Sequence, residues 1–368
     1  MTHGDRPGQA HPGHWHFSAD YATARRRLIA ACAEAGFALE SHRHPLRGPD
    51  GGTLATDVVR VGPMSARRRL AVVAGTHGVE GYFGAAVIHG LIADGHLRAL
   101  PPDCAVVLIH GLNPYGFAWT RRVTEDNVDL NRNWVDFGRP RPDAPDYAAI
   151  ADALLPADLE PPTLARSDGR LQRFARERGF FALQEAITRG QYQWDDGLYF
   201  GGRGPTWSRR RMAEIAARHL AGPGHVAVVD CHTGLGGHGK GELISIAAPD
   251  SADFVRAEHV FGPGVTSTLA GNSVSAHLMG SLDEGMAELV GPADLTFVAL
   301  EVGTRDGQTV IAALRDDNWL HMRGNAGGPL APAIKARLKD AFAPEDPGWQ
   351  DRVHALGVGC VTRALSRI

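Results

Sequence analysis

The reading of the fold turns on Ala71 to Gly81, AVVAGTHGVEG, where an apolar run ends in a small-residue turn carrying His77 and Glu80. A short apolar run stopped by glycine reads as a buried strand. Loops at the carboxyl ends of parallel strands converge on one crevice, so two potential metal ligands at such an end mark a candidate site. Taken alone, the segment also fits an ordinary strand turn whose histidine satisfies a local hydrogen bond.

Upstream, Ser18 precedes Ala19 to Gly36, a stretch rich in Ala, Arg and Leu with Tyr21, Leu28 and Cys32 at helical spacing and Gly36 as its stop. His42 to Gly52 reads as loop and Thr53 to Val61 as a strand. Downstream, Glu80 to Ile92 has helical periodicity through Phe83, Val87, Ile88 and Leu91, and Ala105 to His110 is a further buried-strand candidate. Three more strands are expected at His225 to Cys231, Gly241 to Ala248 and Phe297 to Val302. Helices are expected at Tyr147 to Leu155, Leu171 to Ala186, Arg209 to Leu220, Asp306 to His321 and Ile334 to Phe342, with a closing one after Trp349. This alternation predicts an α/β fold: one domain over 18–368 with a mixed central sheet flanked by helices, preceded by a loose segment at 1–17. Residues 188–208 form a Gly- and aromatic-rich loop containing Tyr192, Trp194, Tyr199 and Phe200, a length uncommon without a functional reason.

Composition narrows the class. The chain has 368 residues, 43% hydrophobic and 21% charged, enough to bury a full-sized core. A formal charge of -3 offers no basic excess for nucleic acid or an anionic membrane. No run of about 18 apolar residues suggests a membrane span, and the His-, Gly- and Pro-rich start has no signal-peptide core. The four cysteines lack CxxC spacing, so neither a zinc-thiolate knuckle nor a disulfide framework is expected, and a cytoplasmic setting is the simpler one. The oligomeric state is not legible.

Catalytic zinc commonly uses three nitrogen or oxygen ligands and leaves one position open. His77 and Glu80 supply a close pair, and His232, at the end of another strand candidate in DCHTG, supplies a remote third. Asp230, two residues earlier, points to the same side of an extended chain and is suited to orienting a histidine. Glu301, ending the apolar run TFVAL, is the proton acceptor left free of metal. Arg121 or Arg122 is suited to an oxyanion, and Arg132 offers a planar fork for a substrate carboxylate, with Asn131 or Asn133 beside it.

These residues fall in segments that resemble the zinc carboxypeptidase superfamily: GTHGVEG at 75–81, NPYGF at 113–117, DLNRNW at 129–134, DCHTG at 230–234 and ALEVGT at 299–304, in family order. SADYATARRR, THGVEGYFG, GQYQWDDGLYFGG and DCHTGLG resemble more narrowly a bacterial branch catalogued as a domain of unknown function. The resemblance implies a carboxypeptidase-like mixed sheet and Zn2+ on His77, Glu80 and His232. It also implies Glu301 as general base, Arg122 as oxyanion partner and Asn131 with Arg132 as carboxylate binders. Tyr192 and Tyr199 are candidates for a lid or specificity wall. The short RRVTEDN segment is closer to the desuccinylase and aspartoacylase branch, so the expected substrate is a small peptide or an N-acyl amino acid. A metal-containing binding module without activity is the alternative of another class.

Overall fold

The computed structural model describes residues 11–368. Helix α1 (Tyr21–Ala35) leads to β1 (Leu39–Arg47), β2 (Thr53–Val61), β3 (Arg68–Ala74), α2 (Gly81–Ala93), β4 (Cys104–His110) and α3 (Pro114–Ala118). The middle of the chain is helical: α4 (Pro145–Ala148), α5 (Ala151–Leu154), α6 (Pro161–Arg178), α7 (Phe180–Thr188) and α8 (Trp207–His219). Sheet returns with β5 (Gly224–His238) and β6 (Gly241–Ser245), followed by α9 (Ala252–Phe261), β7 (Val265–Ser267), α10 (Leu282–Leu289) and β8 (Ala293–Gly303). Helices α11 (Gly307–Met322), α12 (Ala331–Phe342) and α13 (Pro347–Arg367) close the chain.

The strands form one eight-stranded sheet in the order β1-β2-β4-β3-β5-β8-β6-β7. The central strands β4, β3, β5 and β8 run parallel, while β1-β2, β2-β4 and β8-β6 pair antiparallel. The α/β fold with a mixed sheet flanked by helices is therefore as the sequence indicates. Alternation sorts the core into two faces. Leu70, Val72, Val229, Val298 and Leu300 pack with Phe83, Val87 and Leu91 of α2 and with Trp349 and Val353 of α13. Ala71, Val73, Ile109 and Val228 pack with Met212 and Ile215 of α8 and with Leu282 and Met286 of α10. Full burial of each large apolar side chain contributes about 1.5–3 kcal/mol against the entropy of ordering it.

Local chemistry sets the element ends. The Asp20 carboxylate, rather than Ser18, caps α1 by accepting from Thr23 N, and Gly36 closes the helix at φ 71°. Strand β1 occupies much of the span that reads as loop. It is an edge strand with only His44 buried, it carries Pro45, and its register shifts between Arg43 and Arg47, so it lacks the apolar alternation that marks a central strand. Strand β7 is only three residues long and pairs with β6 alone. Of the segment 1–17, residues 1–10 lie outside the described residues. Gly13–His16 form a 3-10 turn in which His16 is buried, its ring 2.9 Å from that of His89 in α2. Among the described residues no helix is long and apolar enough to cross a membrane.

Candidate metal centre

Strand β3 stops at Ala74, and the backbone turns at Gly75 with φ 77°, a left-handed conformation that glycine adopts without strain. A 3-10 turn, Gly78–Glu80, then carries the chain into α2. Gly78 N and Val79 N donate to the carbonyls of Arg122 and Arg121 at 3.0 and 2.8 Å. A side chain at Gly78 would lie 2.0 Å from the Gly116 carbonyl carbon, so only glycine allows this approach. The turn that holds His77 and Glu80 is thus fastened to the segment holding Arg122.

His232 and Glu301 come from the sheet itself. They sit opposite each other in the parallel β5-β8 ladder, which places their side chains side by side on one face at the carboxyl end. His77, Glu80 and His232 converge there, all buried, with one donor atom of each within 4.8 Å of the others. His77 Nδ1 lies 3.2 Å from His232 Nδ1 and 2.9 Å from Glu80 Oε1, and His232 Nδ1 lies 3.0 Å from Glu80 Oε2. Donors about 2.0–2.1 Å from a tetrahedral zinc stand roughly 3.4 Å apart, so the three pairs nearly match the span of a zinc ion. Two facing ring nitrogens satisfy each other only if one is protonated, whereas a cation satisfies both lone pairs. The donor set fits zinc.

The far nitrogens of both rings are held by carboxylates. His77 Nε2 is 3.0 Å from Asp129 Oδ1, and His232 Nε2 is 2.6 Å from Asp230 Oδ2. Asp230 also accepts from Thr76 Oγ1 at 2.7 Å. An Nε2 proton donated to each carboxylate leaves Nδ1 as the ligand atom. Arg122 Nη2 also lies 2.8 Å from His77 Nε2, but that nitrogen cannot accept while it donates to Asp129. The firm partners of Arg122 are Asp129, from Nε, and Glu80, from Nη1, each at 2.9 Å.

The charges follow from this wiring. Burial favours the neutral form of Glu80, but His77 and His232 outweigh it and hold the carboxyl below the ordinary range. Burial likewise opposes charge on Asp129, and Arg122 with His77 overrides it. Burial would lower His232, but Asp230 outweighs this and raises it well above the ordinary histidine value. Glu301 behaves differently. Burial first, and then the nearby Glu80 charge, push it up to about 7, while Leu235 N donates to its Oε1 at 2.9 Å.

One cavity takes in His77, Glu80, His232, Glu301, Arg122, Asn131, Arg132 and Tyr199. Asn131 Oδ1 accepts from Leu282 N at 2.7 Å. Arg132 is buried and donates to Thr188 O and to Asn131 O. Tyr199 has φ 54°, an uncommon conformation for a residue with a side chain, and its ring lies 4.9 Å from the Arg122 guanidinium and 5.5 Å from that of Arg132. Tyr192 stands behind this wall, its hydroxyl donating to Arg132 O at 2.7 Å. Arg121 turns away to Asp317 and Asn127, and Asn133 braces Gly201 and Gly204 of the aromatic loop. The partner that the sequence does not single out is Asp129, which lies two residues before Asn131 and contacts His77 across 52 positions of chain.

A His-Glu-His cluster, its second histidine paired with Glu301 across adjacent parallel strands, on a mixed sheet flanked by helices, marks an α/β protein with a candidate metal-binding site. Within that class the chain belongs to the family described as protein of unknown function (DUF2817), whose model matches residues 17–355. No curated protein matches the sequence. Among solved structures, the chain is similar to thrombin activatable fibrinolysis inhibitor at 12% identity and a TM-score of 0.46, over 96% of this chain and 78% of that one. It is also similar to the succinylglutamate desuccinylase from Chromobacterium violaceum at 14% identity and a TM-score of 0.36, over 85% and 76% of the two chains.

Proposed function

We propose that this protein is a zinc-dependent hydrolase that cleaves an amide or peptide bond in a substrate bearing a nearby carboxylate. The observation that carries the proposal is the spacing of the three donors, 2.9–3.2 Å, with Glu301 beside His232 and free of the cluster. A bound zinc supplies Lewis acidity toward a carbonyl oxygen and makes water acidic near neutral pH. Glu301 accepts the proton of the attacking water and delivers it to the departing amine, a task suited to a carboxyl poised at about 7. Arg122, fixed by Asp129 and Glu80, sets positive charge beside the carbonyl oxygen as it becomes anionic. The Asn131 side-chain amide, oriented by its bond to Leu282 N, and the Arg132 guanidinium receive the substrate carboxylate.

Removal of an acyl group from an amino acid uses the same residues in the same roles. That reading is favoured by the short stretch between NPYGF at 113–117 and DLNRNW at 129–134, whose RRVTEDN sequence is closer in character to the desuccinylase and aspartoacylase branch. Amino-acid release from C-terminal peptides and from N-acyl amino acids, measured with zinc-loaded protein and after chelation, tests both readings. Zinc-dependent release from either panel supports a hydrolase and selects the substrate class. Stoichiometric zinc with no release from any member identifies a binding module.

A further inference from the structure

A second cavity, of about 340 Å³, lies between the α6–α7 pair and α11. Helical spacing builds it. Positions 168, 171, 172 and 175 form one face of α6, positions 307, 311 and 315 one face of α11, and α7 adds Leu183 and Ile187. With Leu171, Ala175, Ile311 and Ala312 these side chains make the lining largely apolar. The groove follows α11 from Gly307 to Arg315, eight residues or about 12 Å. Phe180 marks the Gly307 end, since a side-chain carbon on that glycine would lie 3.9 Å from its ring. The groove and the metal cavity share none of their described lining residues, although Ile187 precedes Thr188 and Ile311 follows Val310, both of which belong to the metal cavity.

The other end is polar. Arg315 Nη1 donates to Asp168 Oδ1 at 2.6 Å, but the two partners differ in setting: Arg315 is 3% exposed, whereas the Asp168 side chain is 51% exposed. Water can solvate Asp168 in place of the arginine, so this ion pair is readily exchanged. Arg315 Nε is in addition buried with no hydrogen-bond partner among the described residues. An orphaned donor on a buried guanidinium is costly, and a carboxylate entering the groove matches the planar fork with two acceptor oxygens. A hydroxyl head group leaves the charge unanswered, and an ammonium meets Arg315 as a like charge. At the far end Phe180 and Phe181 are exposed, so the groove is charged at Arg315 and apolar from there to its mouth.

We infer that this groove is a binding site for an aliphatic carboxylate of medium chain length, a small amphipathic anion. Its carboxylate sits on Arg315, and its chain runs along Ile311, Ala312 and Leu183 towards Phe180. The site is separate from the candidate metal centre and does not depend on the proposed hydrolase.

The test is calorimetric titration of hexanoate, octanoate, decanoate, 1-octanol and octylamine into the full chain after removal of metal by chelation, so that zinc cannot hold the carboxylate. Affinity should rise about fourfold for each added methylene, the effect of burying one CH2 group. Octanoate should bind about 10- to 100-fold more tightly than 1-octanol or octylamine, the range of a charged hydrogen bond. Asp168→Asn, at a half-exposed position, removes the competing carboxylate and should tighten octanoate binding. Arg315→Gln should bring octanoate and 1-octanol to near equality while the dependence on chain length persists. Ala312→Phe fills the groove and should abolish binding. Affinity independent of chain length, or equal for the three head groups, overturns the inference. Octanoate binding unchanged in a folded Ala312→Phe protein places the anion in another cavity and also overturns it. Should Arg315→Gln fail to fold, octanoate binding that is unchanged or weaker in Asp168→Asn is enough to reject the site.

Discussion

His232 Nε2 lies 2.6 Å from Asp230 Oδ2, which leaves Nδ1 of the same ring facing Glu80 and His77. The aspartate selects the tautomer, since its carboxylate only accepts and the ring must donate to it. Asp230→Asn can instead present an N–H to Nε2 and favour the form protonated at the ligand atom. Zinc affinity should fall about 10- to 100-fold, measured by competition with a chromogenic chelator. Unchanged affinity would mean that the ring is oriented by packing alone.

Glu301 is expected to move protons and Glu80 to hold metal, although both are buried carboxylates on one cavity. Glu301→Gln should therefore retain one zinc per chain while kcat falls by about 10²- to 10⁴-fold. Glu80→Gln should lose the metal first. Normal zinc-dependent turnover by Glu301→Gln would remove the general-base assignment.

The sequence exposes those parts of the site whose chemistry is local. His77 and Glu80 share one turn, and His232 and Glu301 each end an apolar run, so strand periodicity alone sets them at the rim of a sheet. Asp129 is not legible in this way, because it acts on His77 across 52 positions of chain. Within the aromatic loop, composition groups Tyr192 with Tyr199, but the backbone places one behind Arg132 and the other against two guanidiniums. Strand β1 escapes because edge pairing through backbone hydrogen bonds needs no apolar alternation.

Backbone approach at the ligand turn gives a test that does not depend on activity. In Gly78→Ala the new methyl meets the Gly116 carbonyl carbon at 2.0 Å and Phe117 N at 2.2 Å, and neither is the end of a flexible side chain. Relief requires the turn to separate from the Gly116–Phe117 backbone of α3, at about 1–3 kcal/mol or more. Gly359→Ala, in α13, meets nothing within 4 Å and should raise the melting temperature slightly, since alanine is favoured in a helix interior by about 1 kcal/mol. Scanning calorimetry of the two variants should show opposite shifts, with weaker zinc retention only in Gly78→Ala. A Gly78→Ala protein as stable as wild type would contradict the close contact.

Three buried histidines outside the candidate metal centre predict the acid limb of stability. His16, His89 and His354 cluster where the N-terminal turn meets α2 and α13, with the His16 and His354 rings stacked at 4.3 Å. Burial is the main cause that depresses all three, with Arg27 adding to it for His16 and His89 and His16 adding to it for His354, to about 4, 3 and 4. The unfolded chain takes up these protons near pH 6.5 and the folded chain does not, so the unfolded state binds more protons between the two values. Stability should be full above about pH 6.5 and decline as pH falls toward 4, by on the order of 2 kcal/mol for each histidine at pH 5. Urea midpoints of chelated protein at pH 7.5 and 5.0 measure the decline without interference from zinc release. His16→Phe keeps a ring against His354 but removes one titrating group, so its midpoint should fall less between the two pH values. A decline as steep as the wild type's would place the acid sensitivity elsewhere in the molecule.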